Sequence, residues 1–187
     1  MDKNFTGILE TAKALFNISI KKNGIYVDFT MGNGNDTLYI KKMCPNSKIY
    51  AFDIQKEAIE ITRKKLEDEN CFDNNIKLIH DTHENFRNHI NNNIDGAMFN
   101  LGYLPGGSKN ITTKTISTLS CLDNALNYLN KNGVIVVVIY VGHEEGALES
   151  NAIYEFSKKI DSTQFACLIY RFINIENAPY IIAFQKK

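Results

Sequence analysis

The residues best suited to chemistry lie in Val27-Asp28-Phe29-Thr30-Met31-Gly32-Asn33-Gly34-Asn35-Asp36-Thr37, with Asp53 nineteen positions beyond Gly34. Apolar Ile25 to Phe29 predicts a short buried strand, Gly32 and Gly34 allow a tight backbone turn against a ligand, and Asp36-Thr37 opens a helix. A carboxylate about 20 residues on, ending the next strand, is placed to hold two ribose hydroxyls. The dinucleotide pattern G-x-G-x-x-G is not met, because Thr37 stands where its third glycine would be. Asp28, just before the glycines, would repel a pyrophosphate but would accept hydrogen bonds from an ammonium group, directly or through water. That combination points to S-adenosylmethionine rather than NAD.

Ligands of parallel sheets bind at the carboxyl ends of the strands, so the residues expected there are read together. They are Asp28, Asp53, Asp81, Asn100 and Tyr140. Thr30, Gly32, Gly34, Asn35, Asp36 and Thr37 form the expected cofactor loop, and Asp53, Ile54 and Gln55 the ribose end, with Phe52 and Ile54 as apolar walls for a purine. Asp81, Thr82 and His83 follow the third strand, where an acid or hydroxyl accepts the exocyclic amine of adenine. His80 and His83 around Asp81 are joined by no further Cys or His cluster, so no metal is expected. The fourth strand ends in Asn100-Leu101-Gly102-Tyr103-Leu104-Pro105-Gly106-Gly107. There Asn100 offers a carbonyl acceptor, Tyr103 a ring face and hydroxyl, and the proline and glycines a backbone that wraps a planar group. The fifth strand ends at Tyr140, and Gly142-His143 follow before the next helix. His143 would point into the same cleft, to take a proton or bond a phosphate. Glu144, Glu145 and Glu149 are expected to oppose the helix dipole, Glu149 being the one to face the site.

Those residues need a parallel sheet to bring them together. Strands are predicted at Ile25 to Phe29, Lys48 to Asp53, Ile76 to His80, Asp95 to Asn100 and Val134 to Tyr140, with helices between them. A leading helix presents Phe5, Ile8, Leu9, Ala12, Leu15 and Phe16 on one face. After a helix near Glu144 to Ile160, the runs Phe165 to Phe172 and Tyr180 to Gln185 pair as an antiparallel hairpin. The fold class is α/β, a seven-stranded, mostly parallel sheet with an antiparallel C-terminal hairpin strand and helices on both faces, as in class I, Rossmann-like methyltransferases.

At 187 residues without a low-complexity divider, the chain is expected to form one domain, 1–187. Its longest apolar run, Val134 to Val141, is a central strand and too short to span a bilayer. No secretory signal and no C-x-x-C spacing are present, so a reducing cytoplasm is expected. Basic and acidic residues balance at 21 each, so any RNA contact must come from a local patch. Lys109, Lys114 and Arg171 are placed near the cleft, with Lys21, Lys22, Lys41 and Lys42 as an extended basic rim.

Taken together, the glycine loop, the His80-Asp81-Thr82-His83-Glu84 segment, the Asn100 to Gly107 loop, Thr112-Thr113-Lys114-Thr115 and Tyr140-x-Gly142-His143-x-x-Gly146 resemble the YtqB-type (MnmM-like) RNA methyltransferase family, whose members carry the label rRNA methylase. Val141 replaces that family's usual proline before Gly142-His143. Leu101-Gly102 likewise stands where amino-group methyltransferases carry Pro-Pro in a loop that is otherwise similar. The resemblance implies an S-adenosylmethionine-dependent tRNA methyltransferase that converts wobble 5-aminomethyl-2-thiouridine to its 5-methylaminomethyl form. In that reading Asn100 orients the amine, Leu101 joins the cofactor pocket, and Tyr103 stacks on the thiouracil. Pro105, Gly106, Tyr140, Gly142 and His143 line the substrate side, and the partner is a tRNA anticodon stem-loop; apart from the resemblance, a single domain of this size would need a second copy to grip a stem-loop, so a homodimer is expected. An rRNA base or small-molecule methyltransferase on the same cofactor site, or a module that only binds the cofactor, is the alternative.

Overall fold

The computed structural model describes residues 7–102, 113–142 and 144–187. Phe5, Tyr103, Pro105, Gly106, Lys109 and His143 lie outside the described residues. The order of elements is α1 (Ile8–Asn17), β1 (Ile25–Asp28), α2 (Asn35–Met43), β2 (Lys48–Asp53), α3 (Lys56–Asp68), β3 (Ile76–His80), a 3-10 turn at His83–Asn85, α4 (Phe86–His89), β4 (Ile94–Asn100), α5 (Thr115–Asn127), β5 (Leu129–Ile139), α6 (Glu144–Lys159), β6 (Phe165–Tyr170) and β7 (Tyr180–Lys186). The seven strands form one sheet in the order β3-β2-β1-β4-β5-β7-β6. Strands β1 to β5 pair in parallel, and β7 runs antiparallel to both β5 and β6. The expected architecture is the observed one. The hairpin is folded back so that β7, its second strand, docks on β5 and leaves β6 at the edge.

Because helices cover both faces of the central sheet, its strands are apolar at successive positions rather than alternating with polar ones. On β5, Ile135, Val137 and Ile139 face a cluster with Phe29, Phe99, Leu122 and Ile153. Val134, Val136 and Val138 face the opposite cluster with Phe16, Tyr26 and Ile40. Phe29 lies 4.5 Å from Phe99 and 5.9 Å from Phe52 in stacked geometry, with Phe86 edge-on at 5.3 Å. Each such pair contributes about 0.5–1.5 kcal/mol beyond its burial. The leading helix buries Ala12 and Phe16, but Leu9 is exposed rather than part of the apolar face. Among the described residues no helix is long and apolar enough to cross a membrane.

Strand β5 begins at Leu129, earlier than its apolar run suggests. Leu129 pairs with Ile94, and the register then jumps so that Val134 pairs with Gly96. Asn132 adopts a left-handed φ of 63° inside that irregularity, which is why Asn130-Lys131-Asn132 reads as a turn in the sequence. Asp95 closes the gap. Its carboxylate accepts from the Ile25 amide at 2.8 Å and from the Asn130 side chain at 2.5 Å, and pairs with Lys21 at 2.6 Å. It thereby ties the starting ends of β1, β4 and β5. Asp95→Ala leaves the partly buried Ile25 amide without its acceptor, and should lower unfolding free energy by about 1–2 kcal/mol in urea denaturation. A loss under about 0.5 kcal/mol would mean that the three strands close without it.

Candidate active site at the carboxyl edge of the sheet

The parallel registers set Asp28 beside Ala51 of β2 and Met98 of β4, so the loops after these strands open on one edge. Asp28 is buried there at 1% exposure. One carboxylate oxygen accepts from the Thr30 amide at 3.2 Å, the other from the fully buried Thr37 hydroxyl at 2.6 Å. The Thr30 hydroxyl accepts from the Asn100 amide at 2.7 Å, and the Asn100 side-chain NH2 donates to Asp36 at 3.3 Å. Asp28, Thr30, Asp36, Thr37 and Asn100, expected together from the sequence, form one hydrogen-bonded network across β1, α2 and β4. With its NH2 committed to Asp36, the Asn100 amide has its carbonyl oxygen as the remaining polar end.

The glycine turn is built around Gly32 and Gly34, both at positive φ, 48° and 74°. Gly34 caps α2, and a Cβ there would lie 2.8 Å from the Thr62 hydroxyl. Thr62, fully buried on α3, donates to the Gly32 carbonyl at 3.1 Å and so holds the turn from behind. Asp53 reaches over from β2, accepting from the Gly32 amide at 3.0 Å and the Gln55 amide at 2.9 Å. Beside it, Ile54 is 53% exposed and offers an apolar face suited to a ring. Asn35 is exposed and bonded to Lys65. Thr62 and Lys65 escape sequence reading because α3 is rich in Lys and Glu. The available signal is that Thr62 falls on the stripe of Ala58 and Leu66 that α3 buries.

The third strand end is more self-contained than its neighbours. Asp81 accepts from the Thr82 amide at 2.8 Å, the Asn85 side chain at 2.9 Å and His89 at 2.8 Å, and the His89 bond holds its carboxyl below the usual range. Thr82 caps the 3-10 turn. His83 turns inward, its ring edge-on to Phe29 and Phe99, with its Nε2 buried and unpaired. Burial depresses its pKa to about 4, so it is neutral at physiological pH. At the fourth strand end Leu101 is buried, its amide bonded to the Val138 carbonyl at 3.0 Å. Gly102 has φ 126° and exchanges two hydrogen bonds with Thr113, so the two ends of the intervening segment meet. A Cβ on Gly102 or Gly142 would meet no atom of the described residues within 4 Å. Tyr140 is half-buried, and burial together with the negative Asp36 raises its hydroxyl pKa.

The expected basic rim is only partly here. Lys21 pairs with Asp95 at the opposite edge, while Lys41 and Lys42, at the far end of α2, pair with Asp73 and Glu69. Lys114 is exposed next to the site, and Arg171 lies over the Tyr180 ring at 5.5 Å.

Three carboxylates of this edge carry raised pKa values, each chiefly from burial. They are Asp36, Asp53 and Asp28, the last pushed up to about 7 with a further contribution from Asp36. The folded protein therefore holds the Asp28 proton more tightly than the unfolded chain. Its contribution to stability is full below about pH 4 and is lost as pH rises toward 7. The stability of Asp28→Asn relative to the unsubstituted protein should accordingly rise from pH 4 to 7 and level off above 8, as read by urea denaturation across that range. A constant offset would mean that Asp28 is ionised throughout in the folded protein.

Residues 49–186 match the model of the family described as "Putative rRNA methylase". The chain is 33% identical over 192 residues to the "tRNA (mnm(5)s(2)U34)-methyltransferase, chloroplastic" of Arabidopsis thaliana, covering 95% of this chain and 69% of that protein. It is 34% identical over 94 residues to the ribosomal RNA small subunit methyltransferase H of Oenococcus oeni, a match that spans 48% of this chain and 30% of that one. A crystal structure of the same description as the family, from Clostridium thermocellum, superposes with a TM-score of 0.95 at 35% identity, covering 98% of this chain and 100% of that one. A Streptococcus mutans "putative methyltransferase" in complex with SAH superposes at 0.89 and 32% identity, with 98% and 100% covered. On the family match and on relatives that run almost its full length, this chain belongs to the rRNA methylase family.

Proposed function

We propose that this chain is an S-adenosylmethionine-dependent methyltransferase that methylates the side-chain amine of wobble 5-aminomethyl-2-thiouridine in tRNA. The observation that carries this reading is Asn100. It ends β4 with its NH2 held by Asp36 and its backbone held by Thr30, which leaves a carbonyl acceptor fixed at the carboxyl edge. A rigid acceptor there orients a primary amine and favours its neutral, nucleophilic form.

The cofactor fits the donor set. Asp28 and Asp36 are buried carboxylates and Asp53 is half-buried; all three have raised pKa values, and none is in an ion pair among the described residues. A cationic ligand group supplies the compensation they lack. Asp28 and Asp36, with Thr30, Gly32, Gly34, Asn35, Thr37, Asn100 and Leu101, would hold the methionine end. Asp53, Ile54 and Gln55 would hold the ribose and one face of the purine, and Asp81 and Thr82 the rim beyond, with His83 behind them against Phe29 and Phe99. When bound, the cofactor supplies an electrophilic sulfonium methyl, which passes to the amine nitrogen with loss of one proton and release of S-adenosylhomocysteine. On the chain's side, Asn100 aims the amine lone pair and Tyr103 stacks on the thiouracil. Pro105, Gly106, Tyr140 and Gly142 shape the substrate side, and His143 assists with the proton or the phosphate. Positioning of this kind is worth about 7–11 kcal/mol in well-oriented systems, so no metal or covalent nucleophile is needed.

The tRNA reading is preferred over an rRNA base because the Arabidopsis thaliana relative is matched over 95% of this chain and the Oenococcus oeni one over 48%. Lys114 and Arg171 would meet the phosphates of the anticodon stem-loop. A second copy would complete the grip by pairing along β6. That edge strand carries no charged residue, and Ala166 to Ile169 are all exposed, with Leu168 at 44% and Ile169 at 48%. An uncharged open edge invites self-pairing. Four free cysteines suit a reducing cytoplasm.

Labelled methyl transfer to tRNA from cells lacking the protein, with rRNA in parallel, should yield one methyl on 5-aminomethyl-2-thiouridine by nucleoside mass spectrometry. Transfer to rRNA alone would replace this reading with the second. Asn100→Ala should reduce turnover roughly 100-fold, with cofactor affinity by calorimetry nearly unchanged; equal losses in both would remove Asn100 from the acceptor role. Light scattering should give twice the chain mass, and Leu168→Lys should return it to one.

A further inference from the structure

Glu149 is a carboxylate on the second turn of α6, and the cofactor loop makes no use of it. At 2% exposure it is as buried as the core around it. It accepts two short hydroxyl bonds, from Thr113 at 2.7 Å and from Thr118 at 2.6 Å. Bonds of this length to a carboxylate are the strong, charge-assisted kind, and the site beside the start of α5 also favours a negative group. Thr113 in turn is bonded twice to Gly102: the Thr113 amide donates to the Gly102 carbonyl at 3.0 Å, and the Gly102 amide donates to the Thr113 hydroxyl at 3.1 Å.

The direction of these bonds is the key. A threonine hydroxyl has one proton. When Glu149 takes it, the Thr113 oxygen has only lone pairs to offer, and it can accept the Gly102 amide. Gly102 sits two residues beyond Asn100 at φ 126°, a conformation that side chains other than glycine rarely adopt. Something outside the strand must hold it there.

We infer that Glu149 is a positioning residue for the acceptor site, acting through Thr113 to fix Gly102 and hence the backbone that follows Asn100. The inference rests on the reading of Asn100 as the acceptor residue. A carboxylate accepts from both hydroxyls at once, whereas an amide at this position keeps one acceptor oxygen and presents an NH2 in place of the other, so one of the two hydroxyls loses its acceptor and must turn its proton elsewhere, which loosens the hold on Thr113.

The test compares Glu149→Gln, Thr113→Val and Thr113→Ser. The first two should lower kcat for RNA methylation roughly 10- to 100-fold, the range expected when a remote change misplaces a reacting group. Affinity for S-adenosylhomocysteine by calorimetry should stay within about threefold, and Thr113→Ser, which keeps the hydroxyl, should restore turnover. Glu149→Gln combined with Thr113→Val should lose no more than the worse single variant, because both cut one chain of contacts. Hydrogen exchange gives a readout that needs no RNA: the amides of Gly102 and Thr113 should exchange faster in both variants. If the unsubstituted protein methylates no RNA, the proposed activity fails, and the exchange result alone decides the latch. Unchanged exchange, unchanged kcat despite faster exchange, or cofactor affinity falling in step with kcat would each overturn the inference.

Discussion

The buried Asp28 carboxylate is the constraint on which the rest of the site depends. A carboxylate at the end of a central strand is costly to remove from water unless its lone pairs are met. Here they are met by the Thr30 amide of the loop and the Thr37 hydroxyl of the first turn of α2. Meeting them bends the chain sharply after β1 and fixes the first turn of α2. It also turns the Thr30 hydroxyl toward the Asn100 amide. The loop that would hold the cofactor and the residue that would hold the acceptor are therefore parts of one hydrogen-bonded body.

The same body is braced by side chains from the neighbouring elements. Thr62 holds the Gly32 carbonyl, Asp53 holds the Gly32 amide, and Glu149 secures the far side through Thr113 and Gly102. Each brace comes from a different helix or strand, so the edge is positioned by the whole α/β layering rather than by one loop. Packing above the sheet serves the same end. The Phe29, Phe52, Phe86 and Phe99 cluster lies directly under the strand ends that carry the polar groups, and the His83 ring seals it.

Most of this framework is legible in the sequence because strand ends in a parallel sheet are where polarity interrupts apolar runs. Asp28, Asp53, Asp81 and Asn100 can each be placed that way without coordinates. What periodicity does not reveal is direction. Asp81 and His83 stand at the right strand end, yet Asp81 bonds to His89 and Asn85, and His83 turns into the core. Lysines at the ends of α2 and before β1 look like a basic rim on paper. The parallel crossover carries them to the opposite edge, where Asp95, Asp73 and Glu69 take their charge. The start of β5 is hidden for a third reason: three polar residues with a left-handed Asn132 look like a turn and are in fact a bulge.

The electrostatics of the edge argue that the protein is built for a bound partner rather than for its own stability. Burial raises the pKa of all three acids, and Asp36 raises that of Asp28 further. A chain selected only to fold would exchange one of them for an amide or pair it with a lysine, as it does with Asp95 and Lys21 at the far edge. Local rules of this kind are broken where function requires it. A cationic ligand group bound beside Asp28 and Asp36 would lower both pKa values and convert the penalty into binding free energy. In the proposed reaction the neutral Asn100 would separate the cation that is to be held from the amine that must lose its proton to react. One network thus supports two opposite demands on protonation, because Asn100 meets Asp36 with its NH2 and the cleft with its carbonyl.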